Sequence, residues 1–149
     1  MDFDTGSSDI WIPSISCLQS CGTHRRFDPT KSSSFEIVNN KTWRLQYGDG
    51  SSVRGYVGMD SVHIGKVTQD RQLLGLVSAE TVDLSRDKYM DGIFGLGFPP
   101  LAYTGLQSSI VEDLFHSGRI AGPVVSFYLG HPRDGGKGEI VSTLRIAVK

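Results

Sequence analysis

Phe3-Asp4-Thr5-Gly6-Ser7-Ser8-Asp9-Ile10-Trp11-Ile12-Pro13-Ser14 is the stretch on which the reading of this chain turns. Alone, Asp-Thr-Gly signals little more than an Asp-initiated turn with glycine at a left-handed position. In this setting the turn has chemical content. Glycine lets the backbone fold tightly enough to aim N–H groups at the Asp4 carboxylate. Thr5 can lock the loop by hydrogen bonding its hydroxyl to nearby backbone, and Ser7 can donate to a carboxylate oxygen. Acid–base chemistry demands a carboxylate held fixed and partly desolvated in this way. Asp4 is thus the candidate catalytic group, with Thr5, Gly6 and Ser7 as its support.

The composition around that stretch narrows the classes open to it. The chain has 149 residues, enough for one domain of ordinary size, with 15 basic and 16 acidic residues for a net charge of −1. Such a balance gives no support to a nucleic-acid partner, which calls for a basic surplus. Hydrophobic residues at 38% and charged residues at 21% place it among globular rather than disordered chains. No apolar run reaches the roughly 18 residues of a membrane-spanning helix, so no membrane partner is expected. Met1-Asp2-Phe3-Asp4 has neither a basic leader nor an apolar stretch, so no signal peptide is expected. The 18 glycines and six prolines imply many tight turns between short segments, and hence a mostly β fold.

The order of segments agrees with that class. The first forty residues are turn-rich, with Phe27-Asp28-Pro29-Thr30 and Lys31-Ser32-Ser33-Ser34 preceding a short apolar strand at Phe35 to Val38. Thr42 to Tyr47 alternates as a strand does, Gly48-Asp49-Gly50-Ser51-Ser52 turns it back, and Val53 to Asp60 returns, giving a long hairpin with a glycine-bearing tip. Val62 to Glu80 holds two further strand candidates, broken near Gly65 and Gly75. The one helix is expected where Leu106, Ile110, Val111, Leu114 and Phe115 make an apolar stripe, with Ser109 and Glu112 at capping-box spacing and Gly118 as a stop. Pro123 to Leu129 is expected to be a buried strand, and Ser142 to Lys149 an edge strand.

Cys17 and Cys21 are the only cysteines, and three readings are open for them: a disulfide closing a small loop, free thiols, or a metal site together with His24. A structural zinc needs four ligands, and no second cluster is present; His63, His116 and His131 are scattered singly. Asn40-Lys41-Thr42 is a glycosylation sequon. Other motifs fail. Gly135-Gly136-Lys137-Gly138 lacks the hydroxyl residue of a phosphate-binding loop, and Gly95-Leu96-Gly97 runs into Phe98-Pro99-Pro100, which cannot open a dinucleotide-binding helix. No Gly-x-Ser-x-Gly occurs.

The stretch from Phe3 to Ser14 closely resembles the active-site segment of the pepsin-like aspartic proteases, and the likeness extends in order over roughly residues 3–141. Cys17 and Cys21 sit where that family places a small disulfide loop. Phe27-Asp28-Pro29 and Lys31 to Phe35 match its next segment, and Trp43 to Gly58 looks like its flap hairpin. Asp91-Gly92-Ile93-Phe94-Gly95-Leu96-Gly97-Phe98-Pro99 is similar to the buried strand and turn beneath its catalytic loop, and Val111 to Leu114 and Pro123 to Leu129 also fit. The resemblance implies a single lobe of a bilobal fold over 1–141, with one or two short helices and a divergent tail over 142–149. It implies that Asp4 is one member of a catalytic pair, and that Asp91 serves only a structural turn. Tyr47 would close over substrate, Trp11 would orient that tyrosine, and Gly48 and Asp49 would offer flap backbone to the peptide. Ile93 and Phe94 would line or underlie the cleft. Neither metal nor organic cofactor is implied, the substrate would be a peptide or protein, and the parent protein would be secreted or vacuolar.

That chemistry needs two aspartates, one ionised to activate water and one protonated to donate to the substrate carbonyl. No second Asp-Ser/Thr-Gly occurs, because Asp49, Asp91 and Asp134 are each followed directly by glycine. The chain thus resembles the N-terminal lobe alone, starting one residue into the active-site strand, as a truncated product would. The expectation is an aspartic endopeptidase by family, whose second aspartate comes from another lobe or from a second copy of the chain across a twofold axis. Alone it would be weakly active or inactive. The alternatives are a peptide-binding lobe that does not cleave and a fragment that does not fold stably for want of cover on an apolar face.

Overall fold

The computed structural model describes residues 1–136 and 138–142, and the tail from 143 to 149 lies outside the described residues. Two compact units are present: residues 1–62 with 70–109, and residues 63–69 with the described part of 110–149. The fold is mostly strand, as expected for one lobe of the pepsin-like architecture.

A six-stranded sheet is built from β1 (Asp2–Asp4), β2 (Ile10–Pro13), β3 (Glu36–Gln46), β4 (Ser52–Ile64), β5 (Val67–Glu80) and β6 (Ile93–Gly95), in the order β1-β6-β2-β5-β4-β3. Alternation dictates the hairpin. In β3 the side chains of Trp43 and Leu45 are buried while Arg44 and Gln46 are exposed, and in β4 Val53 and Val57 are buried while Arg54 is exposed. Central β5 instead shows a continuous buried run from Leu74 to Val77, as befits a strand with neighbours on both sides. The core joins Trp11, Trp43, Leu45, Val53, Val57, Val77, Met90 and Ile93 to the Cys17–Cys21 disulfide. That bond settles the cysteine question, and both cysteines are fully buried. His24 is equally committed: its Nδ1 meets Glu80 Oε1 at 3.0 Å and its Nε2 meets the Asp87 carbonyl at 2.8 Å. Asp91 accepts the Arg25 backbone N–H at 2.8 Å, holding the turn that leads into β6.

Several segment expectations need correction. The strands placed at Phe35–Val38 and Thr42–Tyr47 are one strand, β3, which passes through a register shift between Ile37 and Thr42. The backbone of Asn40 lies in β3, but its side chain is outside the described residues. Gly65 does turn the chain, with φ of 58°, whereas Gly75 does not break β5. A Cβ at Gly75 would lie 2.6 Å from the Trp43 ring, so the glycine is there to admit the indole. In the second unit, α2 (Ile110–His116) follows α1 (Val82–Ser85) of the first in chain order and buries Ile110 and Leu114 at the expected spacing. The strand expected to be buried at Pro123–Leu129 is β7 (Val125–Tyr128), and most of it is exposed because its only sheet partner among the described residues is β8 (Glu139–Ser142).

Gly55 marks the tightest strand crossing, since a Cβ there would sit 1.8 Å from the Leu76 carbonyl oxygen. Backbone cannot yield as a flexible side chain can. Gly55→Ala is expected to destabilise the chain by about 3 kcal/mol, read as a lowered urea midpoint with an unchanged slope. An unmoved midpoint would contradict this close β4–β5 packing.

Candidate functional site

The loop from Thr5 to Asp9 is set by the strands that flank it. β1 runs parallel to β6, pairing Asp4 with Gly95, while β2 runs antiparallel to the same strand, pairing Trp11 with Ile93. The chain must therefore reverse between Asp4 and Ile10 beside the end of β6. Three backbone bonds fix the reversal: Leu96 N–H to the Asp4 carbonyl at 2.8 Å, Gly97 N–H to the Ser7 carbonyl at 2.8 Å, and Gly95 N–H to the Asp9 carbonyl at 3.2 Å. So close is the approach that a Cβ on Gly95 would lie 2.5 Å from the Ser8 carbonyl carbon, and one on Gly97 2.9 Å from the Ser7 carbonyl oxygen. Gly95-Leu96-Gly97 thus serves close packing of two backbones.

On this base the Asp4 side chain is gripped at both oxygens. Gly6 N–H donates to Oδ1 at 2.8 Å and the Ser7 hydroxyl donates to Oδ2 at 2.5 Å. Ser7 is buried and Asp4 half-buried, so the carboxylate is oriented yet reachable, a geometry that suits accepting or donating a proton. Thr5 departs from its expected part: it is exposed, and its hydroxyl bonds to no described group, so it does not lock the loop. That work falls to Ser8 and Asp9, which local spacing does not single out. Ser8 donates to the Phe98 carbonyl at 2.6 Å. Asp9, almost fully buried, accepts from the Tyr103 and Thr104 N–H groups at 2.8 and 3.1 Å and from the Thr104 hydroxyl at 2.5 Å. The available signal was a carboxylate directly ahead of the apolar run Ile10-Trp11-Ile12, which must find donors if it is buried.

Tyr47 and Trp11 come together as expected. The fully buried Trp11 donates from Nε1 to the Tyr47 hydroxyl at 2.6 Å. The Tyr47 phenol is pushed up to about 12, chiefly because burial disfavours its anion. The Trp11 N–H works against that rise, as does the Ser7 hydroxyl, while the negative charges of Asp4 and Asp9 add to it. Asp4, Ser7, Trp11 and Tyr47 therefore share one electrostatic environment. At the hairpin tip, Tyr47 N–H donates to the Ser51 carbonyl at 2.8 Å and Gly50 N–H to the Tyr47 carbonyl at 3.0 Å. Gly48 and Asp49 are exposed. The Asp49 carboxylate takes Ser51 N–H and Oγ at 2.9 and 2.7 Å, and those bonds hold its pKa below the usual range. Ile93 and Phe94 are buried between β1 and β2, with the Phe94 ring 5.2 Å from that of Phe3, so they underlie the loop rather than line an open surface.

Comparison with known proteins follows the same segments. Residues 1–142 match the model of the family described as eukaryotic aspartyl protease. Syncephapepsin of Syncephalastrum racemosum is 40% identical over 141 residues, covering 95% of this chain and 35% of that protein. Rhizopuspepsin-1 of Rhizopus niveus is 36% identical over 141 residues, covering 95% and 36%. Pregnancy-associated glycoprotein 2 of Sus scrofa is 40% identical over 135 residues, covering 90% and 31%. The chain spans about a third of the length of these curated relatives.

Tyr47→Phe would leave the buried Trp11 N–H without its acceptor, an expected cost of about 1–3 kcal/mol at neutral pH. The pH dependence has a definite sign. The folded phenol titrates near 12 against 10 for the unfolded chain, so the unfolded state loses its proton first. Tyr47 thus contributes stability that is present below pH 10 and is lost as pH rises toward 12. Urea unfolding across that window should show a shallower alkaline decline in Tyr47→Phe than in the parent.

Proposed function

We propose that this chain, which belongs to the eukaryotic aspartyl protease family, forms the N-terminal catalytic lobe of an aspartic endopeptidase over residues 1–141, with Asp4 as one carboxyl of its catalytic pair. The observation that carries the reading is the Asp4 carboxylate, clamped by Gly6 and Ser7 in the electrostatic neighbourhood of a Tyr47 that Trp11 holds in place. In this mechanism the paired carboxyls divide the work. One, ionised, takes a proton from the attacking water, and the other, protonated, donates to the carbonyl oxygen of the scissile peptide bond. The pair has to be close: at about 3 Å and an effective dielectric near 20, two carboxylates repel by about 5 kcal/mol, which favours sharing a proton.

Gly6 and Ser7 then act as positioning residues, fixing the direction of the Asp4 oxygens. Tyr47, with the exposed backbone of Gly48 and Asp49, closes over an extended peptide, and the substrate is a peptide or protein with apolar side chains beside the scissile bond. The second carboxyl comes from another aspartate-bearing lobe or from a second copy of this chain. No metal or organic cofactor takes part in this scheme. The parent protein is secreted or vacuolar in this reading, which the buried Cys17–Cys21 disulfide supports through its need for an oxidising compartment. The single Asp-Thr-Gly in the sequence favours a second reading, a lobe that binds peptide without cutting it.

A peptide-cleavage assay at pH 3–5, paired with sedimentation, separates these readings. Cleavage is expected only where a second carboxyl is present, so activity of the chain alone should rise with the square of its concentration as dimers form. Asp4→Asn should lower that activity by about 10²–10⁴-fold. Undiminished cleavage by Asp4→Asn, or full activity from a strict monomer, would overturn the proposal. Peptide binding without cleavage in both monomer and dimer would favour the second reading.

A further inference from the structure

Away from the Asp4 loop, the first unit carries a cavity of about 680 Å³ whose wall includes Arg44 and Arg54. The two arginines are directly opposite each other across the β3–β4 ladder, and both are exposed. Like charges at facing ladder positions repel and cost stability. Among the described residues neither guanidinium has a carboxylate or a hydrogen-bond acceptor. Two unneutralised guanidinium forks at one cavity edge call for an anion.

Hydroxyl side chains lie in the same wall. Ser20 Oγ accepts the Glu80 backbone N–H at 3.2 Å, and Thr81 Oγ1 accepts the Ser52 N–H at 3.1 Å. With a lone pair engaged by backbone, the Thr81 O–H is left to give, whereas the Ser20 O–H is directed at Cys17 Sγ, 3.5 Å away and able only to accept. Ser52 adds a further hydroxyl to the wall. Glu80 is the one acidic residue there, but its side chain is fully buried and its Oε1 lies 3.0 Å from His24 Nδ1. Its Oε2 is buried without a hydrogen-bond partner among the described residues, and that burial raises its pKa, so the carboxyl is biased toward its neutral form and is not exposed at the cavity.

We infer that this cavity is a binding site for a phosphate-class oxyanion, held by Arg44 and Arg54 with Ser52 and Thr81. The donor inventory selects the ligand. Two guanidinium forks and two hydroxyls offer more N–H and O–H groups than the two oxygens of a carboxylate can use, whereas a phosphate group presents three terminal oxygens and about two charges. The phosphate can be free or carried on a phosphorylated peptide. The site shares neither residue nor chemistry with the Asp4 loop, so it stands or falls independently of proteolysis.

The test is titration of inorganic phosphate into the full chain at low ionic strength and neutral pH, followed by calorimetry and thermal melting. Saturable one-site binding is expected, weakened about tenfold or more in Arg44→Gln and in Arg54→Gln, and unaltered in Leu129→Ala, a substitution far along the chain. Without phosphate, Arg54→Gln should melt above the parent, because the facing charges no longer repel. Phosphate should raise the melting temperature of the parent, and that of Arg54→Gln by less at the same concentration, and sodium chloride of equal ionic strength should not reproduce the rise. A phosphoserine peptide that binds tighter than inorganic phosphate would identify a peptide-borne ligand, and equal binding would identify the free anion; either supports the site. No saturable binding, or binding that persists in the Arg44→Gln/Arg54→Gln double variant, would overturn it.

Discussion

Three backbone hydrogen bonds between the Asp4–Asp9 reversal and Gly95-Leu96-Gly97 are the constraint on which the candidate site depends. A single carboxylate can be aimed only if the loop that bears it cannot slide, and here the loop is bonded at its first, middle and last residues to one short segment at the end of β6. Buried carbonyl and N–H groups must find partners, so a register slip would strand several at once. The absence of side chains at Gly95 and Gly97 is what permits the approach. Asp9 completes the frame from the other side, because its carboxylate gathers the Tyr103 and Thr104 donors against the same loop. One aspartate therefore stands half-buried at the candidate site, while another, five residues later, is taken up by bonds that hold the loop.

Trp11 ties this frame to the hairpin. Its ring is part of the hydrophobic core, its backbone belongs to β2 beside β6, and its indole N–H ends on the Tyr47 hydroxyl. Apolar burial thereby fixes a polar atom in place: the indole cannot rotate without opening the core, so the phenol it meets inherits that rigidity. The Asp49–Ser51 bonds stiffen the turn just beyond Tyr47 without restraining the exposed backbone of Gly48.

How much of this was legible in the sequence depended on how far each partner lay along the chain. Gly6 and Ser7 could be assigned to Asp4 because they are two and three residues away, within the reach of one turn. The helix could be placed from its own period and stop signal. The role of Asp9 is not legible in the sequence, because its donors lie 94 and 95 residues on, where spacing carries no information. Thr5 was given a local partner that the fold does not supply. Gly75 looked like a break for the same reason, since only the tertiary position of Trp43 reveals what the missing side chain makes room for. Pro123–Leu129 has the composition of a buried strand, but composition expresses a tendency to be covered, not whether a neighbour provides the cover. The family resemblance reached further than spacing could, because it carries pairings made in space.

The β3–β4 hairpin shows how a period of two lets one element face two environments. Trp43, Leu45 and Tyr47 point toward the core, and Arg44, between the first two, points away to meet Arg54 across the ladder. The odd positions are bound by packing and by the Trp11 bond, so they cannot be exchanged freely. Among the even positions Arg44 faces the cavity wall, and there the chain keeps a repulsive pair that an uncharged side chain would relieve. Stability does not account for two facing arginines. An anion between them does, since it turns their repulsion into shared attraction, and its binding would brace the two strands that carry Tyr47 at their tip.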